Sequence, residues 1–179
     1  MRSAETPREV GFGPNAARVR ARRGHPSGWF IAIAVIAFGA VAAALVSQHR
    51  FGMEPCPWCI LQRLIFVAIG IAALIGAAWR HTVGRVLGGL LVLALTLCGI
   101  AAALWQHFYA APSQSCNLTL ADKIVNGLGL DALLPEVFAP RATCADAAVN
   151  LFGVPYDFWS LALFVLLAIT ALVALRRRD

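Results

Sequence analysis

Four long apolar runs, at residues 29–47, 59–79, 86–108 and 158–175, alternate along this chain with polar segments of very unequal length. Each run is close to the ~20 residues that an α-helix needs to cross the ~30 Å hydrocarbon layer of a bilayer. They predict four transmembrane helices. Reading the first run as a cleaved signal peptide would need a shorter apolar core and a clear small-residue cleavage site, for which Ala42 to Ala44 is a poor match. The connections are a short loop at 48–58, a tight turn at Thr82-Val83-Gly84-Arg85 and a long polar stretch at 109–157. The expected fold is all-α: a polytopic four-helix transmembrane bundle over 29–179, preceded by a polar, aperiodic and disordered tail at 1–28.

Charge orients the bundle. Eleven cationic residues fall in the tail (Arg2, Arg8, Arg18, Arg20, Arg22, Arg23), the tight turn (Arg80, Arg85) and the C-terminus (Arg176, Arg177, Arg178), against three (Arg50, Lys123, Arg141) in 48–58 and 109–157. Under the positive-inside rule both termini are cytoplasmic and the two loops lie outside. The net charge of +6 does not point to nucleic acid, because the cations gather at the ends of apolar runs and are not interleaved with aromatics on a polar surface. With 60% hydrophobic and 13% charged residues, the chain is no ordinary soluble domain. It has no internal repeat, Gly-rich phosphate loop, Ser-His-Asp set or paired carboxylates.

Five cysteines turn this outline toward redox chemistry. Cys56, Cys59, Cys116 and Cys144 all fall on the outer side, where disulfides persist. The pair Cys56-Pro57-Trp58-Cys59 opens the second run. Two thiols at this spacing close a small disulfide ring, and a helix start favours the thiolate of Cys59, the expected nucleophile. Pro57 removes one N–H from that helix start. A zinc site would need two more Cys or His ligands at short spacing, and none flank the pair.

Arg63 shares the helix face of Cys59, roughly 6 Å further into the bilayer. It either snorkels to the head groups or serves the thiols, and its register with Cys59 favours the second. Lying below the thiols and away from the long loop, it is expected to matter more for an acceptor than for a docking partner. His107, at the outward end of the third run, is either an interfacial histidine or faces a pocket shared with Arg63 below Cys59. Cys98, about 14 Å deeper on the same run, is expected to be a buried, protonated and inert thiol. Cys116 and Cys144 bracket 27 residues, a spacing suited to a bridge that ties a flexible loop, structural or redox-active. Between them Leu128, Leu130, Leu133, Leu134, Val137 and Phe138 predict a short amphipathic segment on the membrane, holding Cys144 near the plane of Cys56.

Taken together, Glu54-Pro55-Cys56-x-x-Cys59 with Gln62-Arg63, His107 nine residues before Cys116, Pro135-Glu136-Val137-Phe138 before Cys144, and Leu151-Phe152-Gly153-Val154-Pro155 leading to Trp159 resemble the DsbB family. These are the quinone-linked disulfide bond formation proteins of the bacterial inner membrane. The resemblance implies that a periplasmic thioredoxin-like oxidase of the DsbA type docks as a dithiol, attacks a Cys116–Cys144 bridge and is held transiently on Cys116. Cys144 would then exchange with Cys56, freeing Cys59 to donate to ubiquinone or menaquinone, so that electrons from secreted proteins reach the respiratory pool. It further implies that Arg63 and His107 serve the quinone, and that no metal is needed. Such a partner couple sits near about −120 mV, too oxidising for glutathione at about −200 mV to regenerate, so a membrane oxidant must supply the drive. Gln62 stands where many members carry an acid and is given no proton-transfer role.

Two other readings compete. A vitamin K epoxide reductase-like enzyme would place its C-x-x-C late in the chain, not at the second helix. A membrane scaffold with purely structural disulfides would lose only stability when Cys59 is replaced.

Overall fold

The computed structural model describes residues 26–79, 81–112 and 119–176. The expectations for Cys116, Arg80, the last three residues and the tail up to residue 25 lie outside them. Its elements are α1 (Pro26–Phe51), α2 (Pro57–Ala78), α3 (Thr82–Trp105) running on into a π turn at Gln106–Ala110, α4 (Leu120–Gly127), α5 (Leu130–Leu133), α6 (Pro135–Phe138), a hairpin of β1 (Asn150–Leu151) and β2 (Val154–Pro155), and α7 (Tyr156–Arg176). Four segments, Ser27–Phe51, Pro57–Ala78, Thr82–Ala110 and Tyr156–Arg176, are long and apolar enough to cross a membrane. The all-α, multi-pass architecture is the one the hydrophobic pattern predicts.

The helices run further than the apolar runs did. α1 continues past Ser47 because Gln48 is buried against the bundle, and it ends at Gly52, whose φ of +63° is the left-handed conformation that only glycine adopts cheaply at a helix end. The first loop therefore shrinks to a few residues. Thr82 to Arg85, expected as a turn, is instead the first turn of α3.

α2 packs against α1 and α3, and α7 closes the ring by packing against α3 and α1. Lipid offers no hydrophobic gain for bringing helices together, so close fit must hold such a bundle. At its centre Phe66 and Phe164 stack with ring centroids 4.0 Å apart and 5° between planes, among the fully buried Ile33, Ile69, Val92 and Leu167. Gly99 makes that stack possible, because a Cβ at this position would overlap the Phe164 ring. Gly88 likewise lets α3 approach the backbone of α2 at Gly76.

Short connections force α1 and α2, and α2 and α3, to run antiparallel, so the loop before α2 and the whole segment between α3 and α7 share one end. There α4 starts with a reciprocal cap: Thr119 Oγ1 accepts from the N–H of Asp122, and the Asp122 carboxylate accepts from the N–H of Thr119. Val125 and Phe138 are buried together with Ile60 of α2, while Leu128, Leu133 and Leu134 stay exposed, so the amphipathic 128–138 segment is present as α5 and α6. Cys98 departs from expectation. It is exposed on the outer face of α3, not packed inside the bundle, so any apolar surroundings it has come from lipid.

Gly99→Ala is expected to cost about 1–3 kcal/mol through overpacking. Gly39→Ala, whose Cβ would meet open space on α1, is the control and should be neutral. Thermal inactivation of the two variants in detergent measures the difference.

Candidate functional site

Cys56 is the N-cap of α2: its backbone is extended (φ −85°, ψ 167°), and its sulfur accepts a hydrogen bond from the N–H of Cys59 at 3.3 Å. Ordinary caps use an oxygen for this task. Pro57 occupies the first helical position, where a missing N–H goes unnoticed. The geometry places the two sulfurs 2.8 Å apart at the positive end of the helix dipole. Cys56 is fully buried and Cys59 is partly exposed.

Cys144 arrives at the same point from the long loop. The carbonyl oxygen of Pro55 accepts from the N–H groups of Arg141 (2.9 Å) and Ala142 (3.3 Å), pinning the loop beside the helix start. Cys144 packs against the cluster that holds Cys56, its sulfur close enough to share a proton with the Cys56 sulfur, so Cys56 stands between two thiols. The Cys56 thiol is pushed far up from its ordinary range by donating to Cys144, by its hydrogen bond with Cys59 and by burial. The Cys144 thiol is lowered, chiefly by the hydrogen bond from Cys56, with the free Trp58 N–H in the first turn of α2 adding to it. Cys144 is thus the sulfur more ready to ionise and attack. Cys56 is the sulfur it faces.

Behind Cys59 a cavity of about 580 Å³ opens between α1, α2 and α7. Ala40, Ala43, Phe66 and Leu163 form its apolar walls, and Gln62, Arg63 and Gln106 supply polar groups near Cys59. Its size and its few convergent polar groups are those of a small-molecule site. Arg63, buried, donates from Nη1 to Gln48 Oε1 (2.7 Å) and to the carbonyl oxygen of Val137 (3.1 Å), and from Nη2 to that of Ala44 (3.4 Å). Gln48 Nε2 in turn donates to the Glu136 carbonyl at 3.3 Å. Arg63 is therefore tied to the long loop as well as to the cavity, which corrects the expectation that it lies away from that loop.

Gln106 takes the place expected for His107. Its Nε2 donates to Cys59 Sγ (3.3 Å) and to Asp157 Oδ1 (2.6 Å), and its Oε1 accepts from Gln62 Nε2 (2.7 Å). His107 does not line the cavity. Its Nδ1 lies 3.4 Å from Asp157 Oδ2, and its ring packs on Phe108 and Phe158. Gln106 and His107 are consecutive on the helix, about 100° apart around its axis, so only one of them can face the cavity.

Residues 26–174 match the family model described as "Disulfide bond formation protein DsbB". The chain belongs to the DsbB family. A disulfide bond formation protein B of Ralstonia nicotianae is 39% identical over 152 residues, covering 84% of this chain and 94% of that protein. Those of Pseudomonas syringae pv. tomato (37% over 143 residues, 79% and 84%) and Cupriavidus metallidurans (34% over 152 residues, 84% and 93%) are similar over nearly the same span. As a DsbB-family member the protein is a membrane thiol:disulfide oxidoreductase that serves disulfide bond formation.

Three polar residues of this DsbB site, Gln48, Gln106 and Asp157, are absent from the set that the sequence pattern singles out. A signal for them exists. Each crossing helix carries an uncharged amide or an acid at the end that meets the thiols, and polar side chains at such depth are costly unless they serve one another or a ligand.

In the fully reduced protein, alkylation of Cys144 is expected to set in at lower pH than that of Cys56, because a lowered thiol reaches its thiolate first. Mass spectrometry of peptides alkylated across a pH series reads the order directly, and equal midpoints would contradict donation from Cys56 to Cys144.

Proposed function

We propose that this DsbB-family protein sits in a bacterial inner membrane with both termini cytoplasmic, reoxidises a periplasmic DsbA-type dithiol oxidase and passes the electrons to a membrane quinone, ubiquinone or menaquinone. The observation that carries this reading is the Cys144–Cys56–Cys59 row of sulfurs, which begins in the outer loop and ends at the cavity. Exchange between disulfides needs one sulfur to meet another in line for a mixed disulfide, and this row supplies the meeting. The eleven-to-three bias of cations toward the opposite end of the bundle supports the orientation.

The partner's thiolate attacks a Cys116–Cys144 bridge, is held on Cys116 and releases Cys144. Cys144, its thiol lowered by Cys56 and Trp58, attacks the Cys56 sulfur, and the Cys56–Cys59 bond breaks. Cys59 leaves as a thiolate held by the Gln106 amide and by the helix start. A bound quinone supplies a two-electron, two-proton acceptor. The residues present fit one: the apolar walls would take a flat ring system, while Gln62 and Arg63 have N–H groups left for carbonyl oxygens near the reacting sulfur. Arg63, always cationic, steadies negative charge wherever it develops in that space. The partner's second thiol then displaces Cys116 and leaves as a disulfide, and the freed Cys116 attacks Cys144, so that Cys116–Cys144 reforms and Cys56 is released as a thiol. Reclosure of Cys56–Cys59, with two electrons and two protons passing to the acceptor, restores the resting enzyme.

Cys59→Ser is expected to abolish quinol formation by the purified protein in the presence of reduced partner, followed anaerobically by ultraviolet absorbance. Retained turnover in that variant removes the mechanism. Arg63→Ala removes charged hydrogen bonds worth about 1.5–3 kcal/mol each. It is expected to raise the quinone KM tenfold or more and also to slow partner oxidation, since the Val137 carbonyl loses its tether.

A further inference from the structure

Asp157 takes no part in the electron path, yet it is the buried carboxylate of the cavity, 5% exposed. An acid in the first turn of a helix is commonly a favourable partner of its own helix dipole. Here, however, the two oxygens reach across to α3 and its π turn: Oδ1 accepts from Gln106 Nε2 at 2.6 Å, and Oδ2 faces His107 Nδ1 at 3.4 Å. The same Gln106 nitrogen donates to Cys59 Sγ, so one N–H₂ group separates the carboxylate from the reacting sulfur.

Two acids so close in a low-dielectric cavity do not both carry a negative charge at small cost. Whenever Cys59 is a thiolate, a proton on Asp157 relieves the repulsion. The other titratable residues around the cavity do not compete for that task. Glu54 and Asp146 are exposed at its mouth, the half-buried Tyr156 carries a phenol and not a carboxyl, and Arg63 keeps its proton. His107, 30% exposed at the loop end of α3, is the neighbour of Asp157 that reaches the surface.

We propose that Asp157 is the proton store of the cavity, protonated when the Cys56–Cys59 pair is reduced and emptied into the acceptor when the pair recloses, with His107 linking it to outer water. Reduction by a dithiol brings two electrons and two protons: the S–S bond breaks, one proton resides on the Cys56 sulfur, and the other resides on an Asp157 oxygen while Cys59 remains a thiolate. On reclosure the S–S bond forms, and two electrons pass to the quinone oxygens. The Asp157 O–H bond breaks to give one proton, and Cys56 gives up the second. The sum is dithiol plus quinone giving disulfide plus quinol.

The proposal rests on the quinone-linked reading, but its first test needs no quinone. In quinone-free protein, the reduced-minus-oxidised infrared difference spectrum is expected to show a protonated-carboxyl band that shifts with ¹³C-labelled aspartate and is lost in Asp157→Asn. That variant keeps an acceptor for Gln106. With quinone and reduced partner it is expected to lose at least tenfold in kcat, within the ~10²–10⁴-fold range of general acid–base catalysis, while the quinone KM and the rate of the first thiol exchange stay unchanged. Asp157→Glu, which keeps an acid, should retain turnover within a few-fold, and formate should restore part of the activity of Asp157→Ala. Absence of the carboxyl band, wild-type kcat in Asp157→Asn, or a glutamate variant as slow as the asparagine one overturns the proposal. Failure of the wild-type protein to reduce quinone at all, with the band present, would sink the quinone-linked reading and leave the proton store standing.

Discussion

Two hydrogen bonds to one carbonyl oxygen hold the working end of this molecule together. Pro55 O accepts the N–H groups of Arg141 and Ala142, and because Pro55 immediately precedes the N-cap of α2, the bonds join the long loop to the one residue whose sulfur caps the helix. Without that tether Cys144 would be a thiol on a segment of short helices and turns, with no reason to meet Cys56. With it, the loop sulfur, the capping sulfur and the Cys59 sulfur come together, and N–H groups of the helix start reach two of them, that of Cys59 donating to Cys56 and that of Trp58 favouring charge on Cys144.

The transmembrane bundle serves this row by providing a rigid, dry floor. Phe66 on Phe164, seated by Gly99, fixes α2 against α7, and the cavity lies just above that stack. Inside a bilayer every polar group must find a partner within the protein. Gln48 and Arg63 satisfy one another and two loop carbonyls, while Gln62, Gln106, Asp157 and His107 form a second chain that meets Cys59 through Gln106. In low dielectric such networks are strong when complete, so both also lock the rotamers that face the cavity. One network couples the cavity to the loop through Arg63, and the other couples it to the outer surface through His107.

On the proposed reading, electrons and protons have separate routes. The sulfur row takes electron pairs inward from the loop, while the Gln106–Asp157–His107 chain meets Cys59 through the Gln106 amide. Arg63 adds a fixed positive charge at the same cavity. Such a division suits a thiol–quinone reaction, in which the ionised sulfur must stay unprotonated while protons are delivered close by.

What could be read from the chain alone was whatever depends on local pattern and on counting. Four apolar runs fixed four crossing helices, because only a helix of about that length satisfies its backbone in lipid; C-x-x-C at the start of an apolar run placed Cys59 at a helix N-terminus; and the motif set resembled DsbB, which the family match upholds. What depends on packing between distant segments was out of reach. The loop tether of Arg63 joins residues 74 apart, the Gln106–Asp157 bond spans 51, and the exchange of His107 for Gln106 at the cavity follows from the rotation of α3, which hydrophobic periodicity does not reveal. Periodicity reports which face of a helix is apolar. Only the tertiary structure, by setting the helices' rotation and bringing loop carbonyls to side-chain donors, decides which polar groups share a buried site.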